Sequence, residues 1–206
     1  MDDYLSEEVV KKRIVAKKRK KRVLTRVVVI FIVFVLTIVD GALIGKAMGK
    51  IRYERTKKPV DHIIAVTKDI PIVNVAVKEV GNEGGQKFWS WYGFNSHVAW
   101  CACFVSWCED QVGYLSSQKA PRYAGCGDGV RWFKSKGAWL DAGKKPKAGD
   151  VIFFDWERVG SVDHTGIVTS VVGKRVFTVE GNSTDRCRIK RYYIDDPVIL
   201  GYGQIE

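Results

Sequence analysis

The stretch Trp100-Cys101-Ala102-Cys103-Phe104-Val105-Ser106-Trp107-Cys108 decides how this chain is read. At helical spacing Cys101, Phe104, Val105, Cys108 and Val112 share one stripe, which predicts a helix packed inward and ended by Gly113. Cys101 then stands in the first turn, where free amide N–H groups and the positive end of the helix dipole stabilise a thiolate. Buried free cysteine is also a common core residue, so Cys101 alone does not make a site.

What raises Cys101 above its four fellow cysteines lies downstream. Asp163-His164-Thr165-Gly166-Ile167-Val168 puts a histidine at the start of an expected strand, and Glu180-Gly181-Asn182 puts a carboxylate and an amide at the end of the next. A cysteine, then a histidine, then a polar orienting group is the chain order of papain-type thiol hydrolases. In that chemistry the Cys101 thiolate attacks an amide carbonyl. His164 takes and returns the proton, and Glu180 or Asn182 holds the imidazole in one tautomer. The Cys101 backbone N–H is one candidate oxyanion donor and Asn95 a second, although Asn95 suits a turn or helix cap equally well.

The pattern of motifs resembles the CHAP family, cysteine, histidine-dependent amidohydrolases/peptidases that cut bacterial peptidoglycan. It rests on WCACFVSWC (100–108), GVRWFKSKGAW (129–139), AGDVIFFDW (148–156), DHTGIV (163–168), TVEGNS (178–183) and GYG (201–203). The resemblance covers roughly 73–206. It implies an α+β, papain-like cysteine peptidase fold, with N-terminal helices packed on an antiparallel sheet, and favours Glu180 as the orienting partner with Asn182 in support. Some family members bind calcium through acidic residues around the nucleophile; Tyr92 to Trp107 contains no Asp or Glu, so no such site is expected.

Strand register constrains this site. Gly173 and Lys174 suit a two-residue hairpin, which would pair Val172 with Arg175 and place His164 and Glu180 on opposite faces. Bringing them to one face requires a three-residue loop or a bulge, with Val168 then opposite Glu180.

The net charge of +11 is uneven. Residues 1–26 carry a net +6, residues 27–72 a net +3, and residues 73–206, the expected catalytic domain, only +2. The basicity therefore describes targeting more than substrate, and no nucleic-acid partner is expected. Residues 27–45 are apolar apart from Asp40, close to the roughly 20 residues of a membrane-spanning helix. With the basic tail ahead of the span, the expectation is an uncleaved signal-anchor: cytoplasmic residues 1–26, one transmembrane helix, a stalk over 46–72 and an extracytoplasmic domain over 73–206. His62 falls in the stalk and is read as a solvated linker residue.

Around Val75–Val80 a helix is expected, followed by the aromatic cluster Phe88, Trp89, Trp91, Tyr92 and Phe94. Phe88 and Trp91 read as core; Trp89, Tyr92 and Trp100 are groove candidates, because flat rings line sugar and peptide grooves. His97 reads as loop packing. Five cysteines in an external domain allow two disulfides and one free thiol. Cys108 reads as core, Cys103 as pointing outward, Cys187 as lying in a strand, and Cys126 as a loop residue open to a bridge or a contact with the site. The spacings argue against structural zinc, and the chemistry calls on no metal or cofactor.

The expected protein is thus a membrane-anchored peptidoglycan hydrolase, an N-acetylmuramoyl-L-alanine amidase or an endopeptidase, placed to serve a wall-spanning machine for secretion, conjugation or division. Two other readings stay open: a catalytically silent wall-binding scaffold, and a thiol hydrolase of another amide.

Overall fold

The computed structural model of the chain describes residues 69–205. The basic tail, the apolar run at 27–45, His62 and nearly all of the stalk lie outside the described residues. Among the described residues no helix is long and apolar enough to cross a membrane.

Among the described residues four helices precede six strands. The helices are α1 (Pro71–Lys78), α2 (Gln86–Tyr92), α3 (Cys101–Gln111) and α4 (Cys126–Ser135). The strands are β1 (Trp139–Asp141), β2 (Val151–Phe154), β3 (His164–Val172), β4 (Arg175–Glu180), β5 (Arg188–Tyr193) and β6 (Ile199–Gly203), in one antiparallel sheet ordered β1-β6-β2-β3-β4-β5. The expected α+β class, helices first and antiparallel sheet after, is what the chain adopts.

The first helix starts at Pro71, earlier than expected near Val75, because a proline at the first helical position gives up an N–H that has no helical partner there. Ile72, Val73, Ala76 and Val77 pack it into the core. The nine residues Cys101 to Glu109 of α3 are all buried, correcting the one-sided stripe. The helix packs against α1, α2 and β3, and a helix so covered needs no polar face. Cys103, expected to point outward, is fully buried for this reason.

Trp100 caps this helix and is fully buried, which removes it from the groove candidates. Its ring stacks on Phe88 at 5.4 Å, and its indole N–H donates to Asp185 Oδ1 at 3.0 Å. Gly85, at φ +57°, lies against the Trp100 ring, where a Cβ would overlap the indole. Gly85→Ala is expected to cost about 3 kcal/mol, from the left-handed backbone and the overpacking together, and to lower Tm by about 10 °C in a thermal denaturation scan.

The sheet buries both faces of β2. Val151, Phe153, Ile167 and Val179 meet the helices; Ile152, Phe154, Val168, Val176, Ile199 and Tyr202 form a second, smaller cluster. The β3–β4 hairpin closes on Gly173 and Lys174 with Val172 opposite Arg175, and a bulge between Val168 and Ser170 then shifts the register, so that Ile167 faces Val179. The expected bulge is present, but it carries Gly166 rather than Val168 toward Glu180: a Cβ on Gly166 would stand 2.6 Å from Glu180 Cγ. His164, two residues from Gly166, shares that face.

Candidate active site

Cys101 is the first residue of α3, His164 the first of β3 and Glu180 the last of β4. Each stands at an element end because the bulge restores a common face to the two strand residues, while Trp100 anchors the start of the helix. His164 Nε2 lies 3.1 Å from Glu180 Oε2. With Nε2–H donating there, Nδ1 is left for the thiol, and each side chain favours charge on the other.

Glu180 is fully buried, and three donors surround its carboxylate. Thr178 Oγ1 donates to Oε1 at 2.6 Å, Tyr192 OH donates to Oε2 at 3.2 Å, and His164 Nε2 completes the set. Both carboxylate oxygens are thus hydrogen-bonded, as a buried polar group requires. Thr178 precedes Glu180 by one strand repeat, and Tyr192 comes from β5.

Electrostatics favour an ion pair. The Cys101 thiol is held well below its ordinary value, first by the hydrogen bond from the Cys126 thiol, against the opposing effect of burial, then by His164 and the Ala102 N–H. Burial works against charge on His164, but hydrogen bonds to Cys101 and Glu180 and the attraction of both anions outweigh it, raising the imidazole to about 9. Both directions favour a thiolate beside an imidazolium over a neutral pair. The sign gives a test: alkylation of Cys101 by iodoacetamide is expected to stay fast near pH 6, where an ordinary thiol of pKa about 8.5 is almost wholly protonated. A further change of rate is expected near pH 9, as the pair loses its second proton.

The ring of Trp156, 44% exposed, lies 4.8 Å from that of His164. Its loop is pinned at both ends by carboxylates: Asp163 accepts from the backbone N–H of Trp156 and Glu157, and Asp155 from those of Val159 and Gly160. Trp156 belonged to a quoted motif, yet nothing in its spacing pointed to the histidine.

The remaining expected residues fall outside this group. Asn95 is exposed in the loop before α3, and the groups acting on Cys101 and His164 do not include it. Asn182 takes a left-handed conformation, φ +58°, in the turn after β4, where Glu180 and not Asn182 meets the imidazole. Trp89 is half-buried with its indole N–H donating to Gly84 O, and Tyr92 stacks on Phe94 at 5.5 Å with the Arg122 guanidinium over its ring. Trp91, expected in the core, is half-buried. His97 Nε2 lies 2.8 Å from Asp185 Oδ1, a loop contact as expected.

All five cysteines are free, so the two-disulfide arrangement does not occur. Cys108 is core, Cys187 is buried just ahead of β5, and Cys126 opens α4 with its sulfur 3.8 Å from that of Cys101. Among the described residues no cluster of His, Cys, Asp and Glu is arranged to hold a metal ion.

An α+β domain that sets a lowered thiol, a raised imidazole and a buried carboxylate in series has the layout of a thiol hydrolase. Residues 91–182 match the family model of the CHAP domain. That is the family the motifs resembled, and the matched segment takes in Cys101, His164 and Glu180. Solved structures similar to it include Ly7917, at 15% identity over 66% of this chain and 61% of that one, with a TM-score of 0.44. Ly7917 with the hydrolyzing product of MDP gives 15%, 66%, 62% and 0.45. A protein similar to a lipoprotein, of the NLP/P60 family from Staphylococcus aureus subsp. aureus Mu50, gives 19%, 66%, 40% and 0.38. The chain spans less than two thirds of the length of each. No curated protein matches the sequence.

Proposed function

We propose that the protein is a peptidoglycan hydrolase that cuts amide bonds of the wall peptide through Cys101, His164 and Glu180. One observation carries the reading: the buried Glu180 carboxylate holds the His164 ring at 3.1 Å, and that same imidazole helps to lower the Cys101 thiol. The CHAP match over 91–182 supports the substrate class.

The thiolate attacks the amide carbonyl, and the negative charge passes to the carbonyl oxygen. The free N–H groups of the first turn of α3, that of Cys101 among them, are the donors for that oxyanion. His164 gives its Nδ1 proton to the departing amine, leaving an acyl thioester on Cys101. It then takes a proton from water, which attacks the thioester and releases the acid. Glu180 holds the imidazole in place and stabilises its charge through both steps. Trp156, exposed beside His164, is a groove wall against which a sugar or peptide face packs. Since the Cys101–His164–Glu180 chain is complete, a purely structural scaffold is the weaker reading.

Residues 27–45 would anchor the chain in the membrane, with the basic tail inside and residues 73–206 outside, so that tethering supplies the concentration a wall-binding module otherwise gives. Amidase and endopeptidase are separated by the products. Full-length protein incubated with purified sacculi is expected to release fragments whose new termini, read by mass spectrometry, are a free L-alanine amine for an amidase or a stem or cross-bridge terminus for an endopeptidase. Protein alkylated at Cys101 is expected to release none. Absence of fragments from walls of several bond chemistries would sink the proposal.

A further inference from the structure

We propose that Cys126 is the resolving thiol of Cys101, making the pair an oxidation site at which a peroxide turns the nucleophile into a reversible disulfide instead of destroying it. The site chemistry above does not consume Cys126, yet the fold delivers it to the nucleophile. Ser106 on α3 grips the Tyr123 backbone from both sides, its hydroxyl donating to Tyr123 O at 2.8 Å and accepting from Tyr123 N–H at 2.9 Å. Three residues later α4 begins, so the first residues of two helices meet and their sulfurs lie 3.8 Å apart. A disulfide needs about 2.05 Å, and rotation of two side chains has to close the rest.

The other thiols are placed differently. Cys103, Cys108 and Cys187 are at most 1% exposed, and burial raises all three, Cys103 to about 11. Cys101 and Cys126 keep 5% and 8% exposure, at the spot a substrate carbonyl has to reach and a small peroxide can follow. Cys101 is the thiol held low enough to attack a peroxide as thiolate, whereas Cys126, donating to it, stays a thiol.

The chemistry balances with a hydroperoxide as oxidant. The Cys101 thiolate attacks the O–O bond, which breaks: sulfur loses two electrons and becomes a sulfenic acid, while the alkoxide or hydroxide leaves with a proton from His164. The Cys126 sulfur then attacks the sulfenic sulfur. The S–S bond forms, the S–O bond breaks, and the hydroxide departs as water with the Cys126 proton. An external dithiol reverses the step, giving up two electrons and two protons to restore both thiols. Without Cys126 the sulfenic acid goes on to sulfinic acid, which a dithiol does not reduce.

The consequence for activity rests on the hydrolase reading; the disulfide itself does not. The test exposes reduced full-length wild type and Cys126→Ser to hydrogen peroxide, blocks remaining thiols, and maps cysteines by tryptic digestion with fragmentation. Parallel samples are returned to dithiothreitol and assayed on sacculi, each against its own untreated control. Expected are a Cys101–Cys126 link with nearly full recovery in the wild type, and Cys101 sulfinic acid with at least about tenfold poorer recovery in Cys126→Ser. A wild type that forms sulfinic acid without the link, or links Cys101 to Cys103, overturns the proposal, as does equal recovery in the variant. If the link forms but no wall fragments ever appear, the hydrolase reading fails and the oxidation site stands.

Discussion

Cys101→Ala is expected to lower the release of wall fragments by about 10⁵-fold or more, to the background of the uncatalysed reaction plus what binding alone provides. The size follows from the mechanism: both half-reactions pass through the Cys101 sulfur, which forms the acyl thioester in the first and leaves it in the second. Cys101→Ser is expected to be nearly as inactive. The site holds a preformed thiolate, whereas a serine hydroxyl has to be deprotonated during attack by a histidine tuned to hold its own proton up to about pH 9. A second readout separates this loss from unfolding. Cys101 supplies a hydrogen bond and a negative charge that raise His164, so in Cys101→Ala the imidazole is expected to titrate well below 9 by NMR while thermal melting still shows a cooperative fold. An alanine variant that keeps more than about a hundredth of the activity would mean another nucleophile.

Glu180→Gln is expected to reduce kcat/KM by about 10²- to 10⁴-fold, less than loss of the nucleophile because the thiolate–imidazolium pair still forms. The carboxylate accepts from His164, Thr178 and Tyr192 together. A glutamine has one acceptor oxygen and presents N–H groups where hydroxyls now donate, so the three contacts cannot all survive. The lost charge also lowers the imidazole, since Glu180 helps raise it, and the sign is definite: the alkaline limb of the pH–rate profile moves below 9. Kinetics across pH on both proteins check this, and an unmoved limb would remove Glu180 as the orienting group. Gly166 belongs to the same argument. Its lack of a side chain makes room for Glu180, so no larger residue fits there without pushing the carboxylate off the imidazole.

How far the site was readable depended on the distance over which each cause acts. The helix at Cys101 and its first-turn thiol follow from local spacing, and Gly173 with Lys174 closes the hairpin by turn chemistry alone. The need for a bulge followed from period-two alternation once His164 and Glu180 were required on one face. Its direction did not: whether Gly166 or Val168 comes opposite Glu180 depends on which strand takes the extra residue, and packing on both sheet faces decides that. Trp100 misled because an aromatic beside a nucleophile fits a groove and a core equally well. Only the stacking on Phe88 and the room left by Gly85 show it is core. Asn182 was read as support for Glu180, and it stands in the left-handed turn that follows β4, while Asn95 lies exposed in the loop before α3.

The order Cys101, His164, Glu180, the α+β class and the kinship of the motifs were determined by the sequence itself, because residue type, periodicity and chain order are local or linear properties. Tertiary structure alone decided that Thr178 and Tyr192 feed the carboxylate, that Trp156 stands beside the histidine, and that Cys126, 25 residues from Cys101, meets it at 3.8 Å. Those contacts depend on strand register and on where two helix ends converge, and such distances are set by the packing of the whole core.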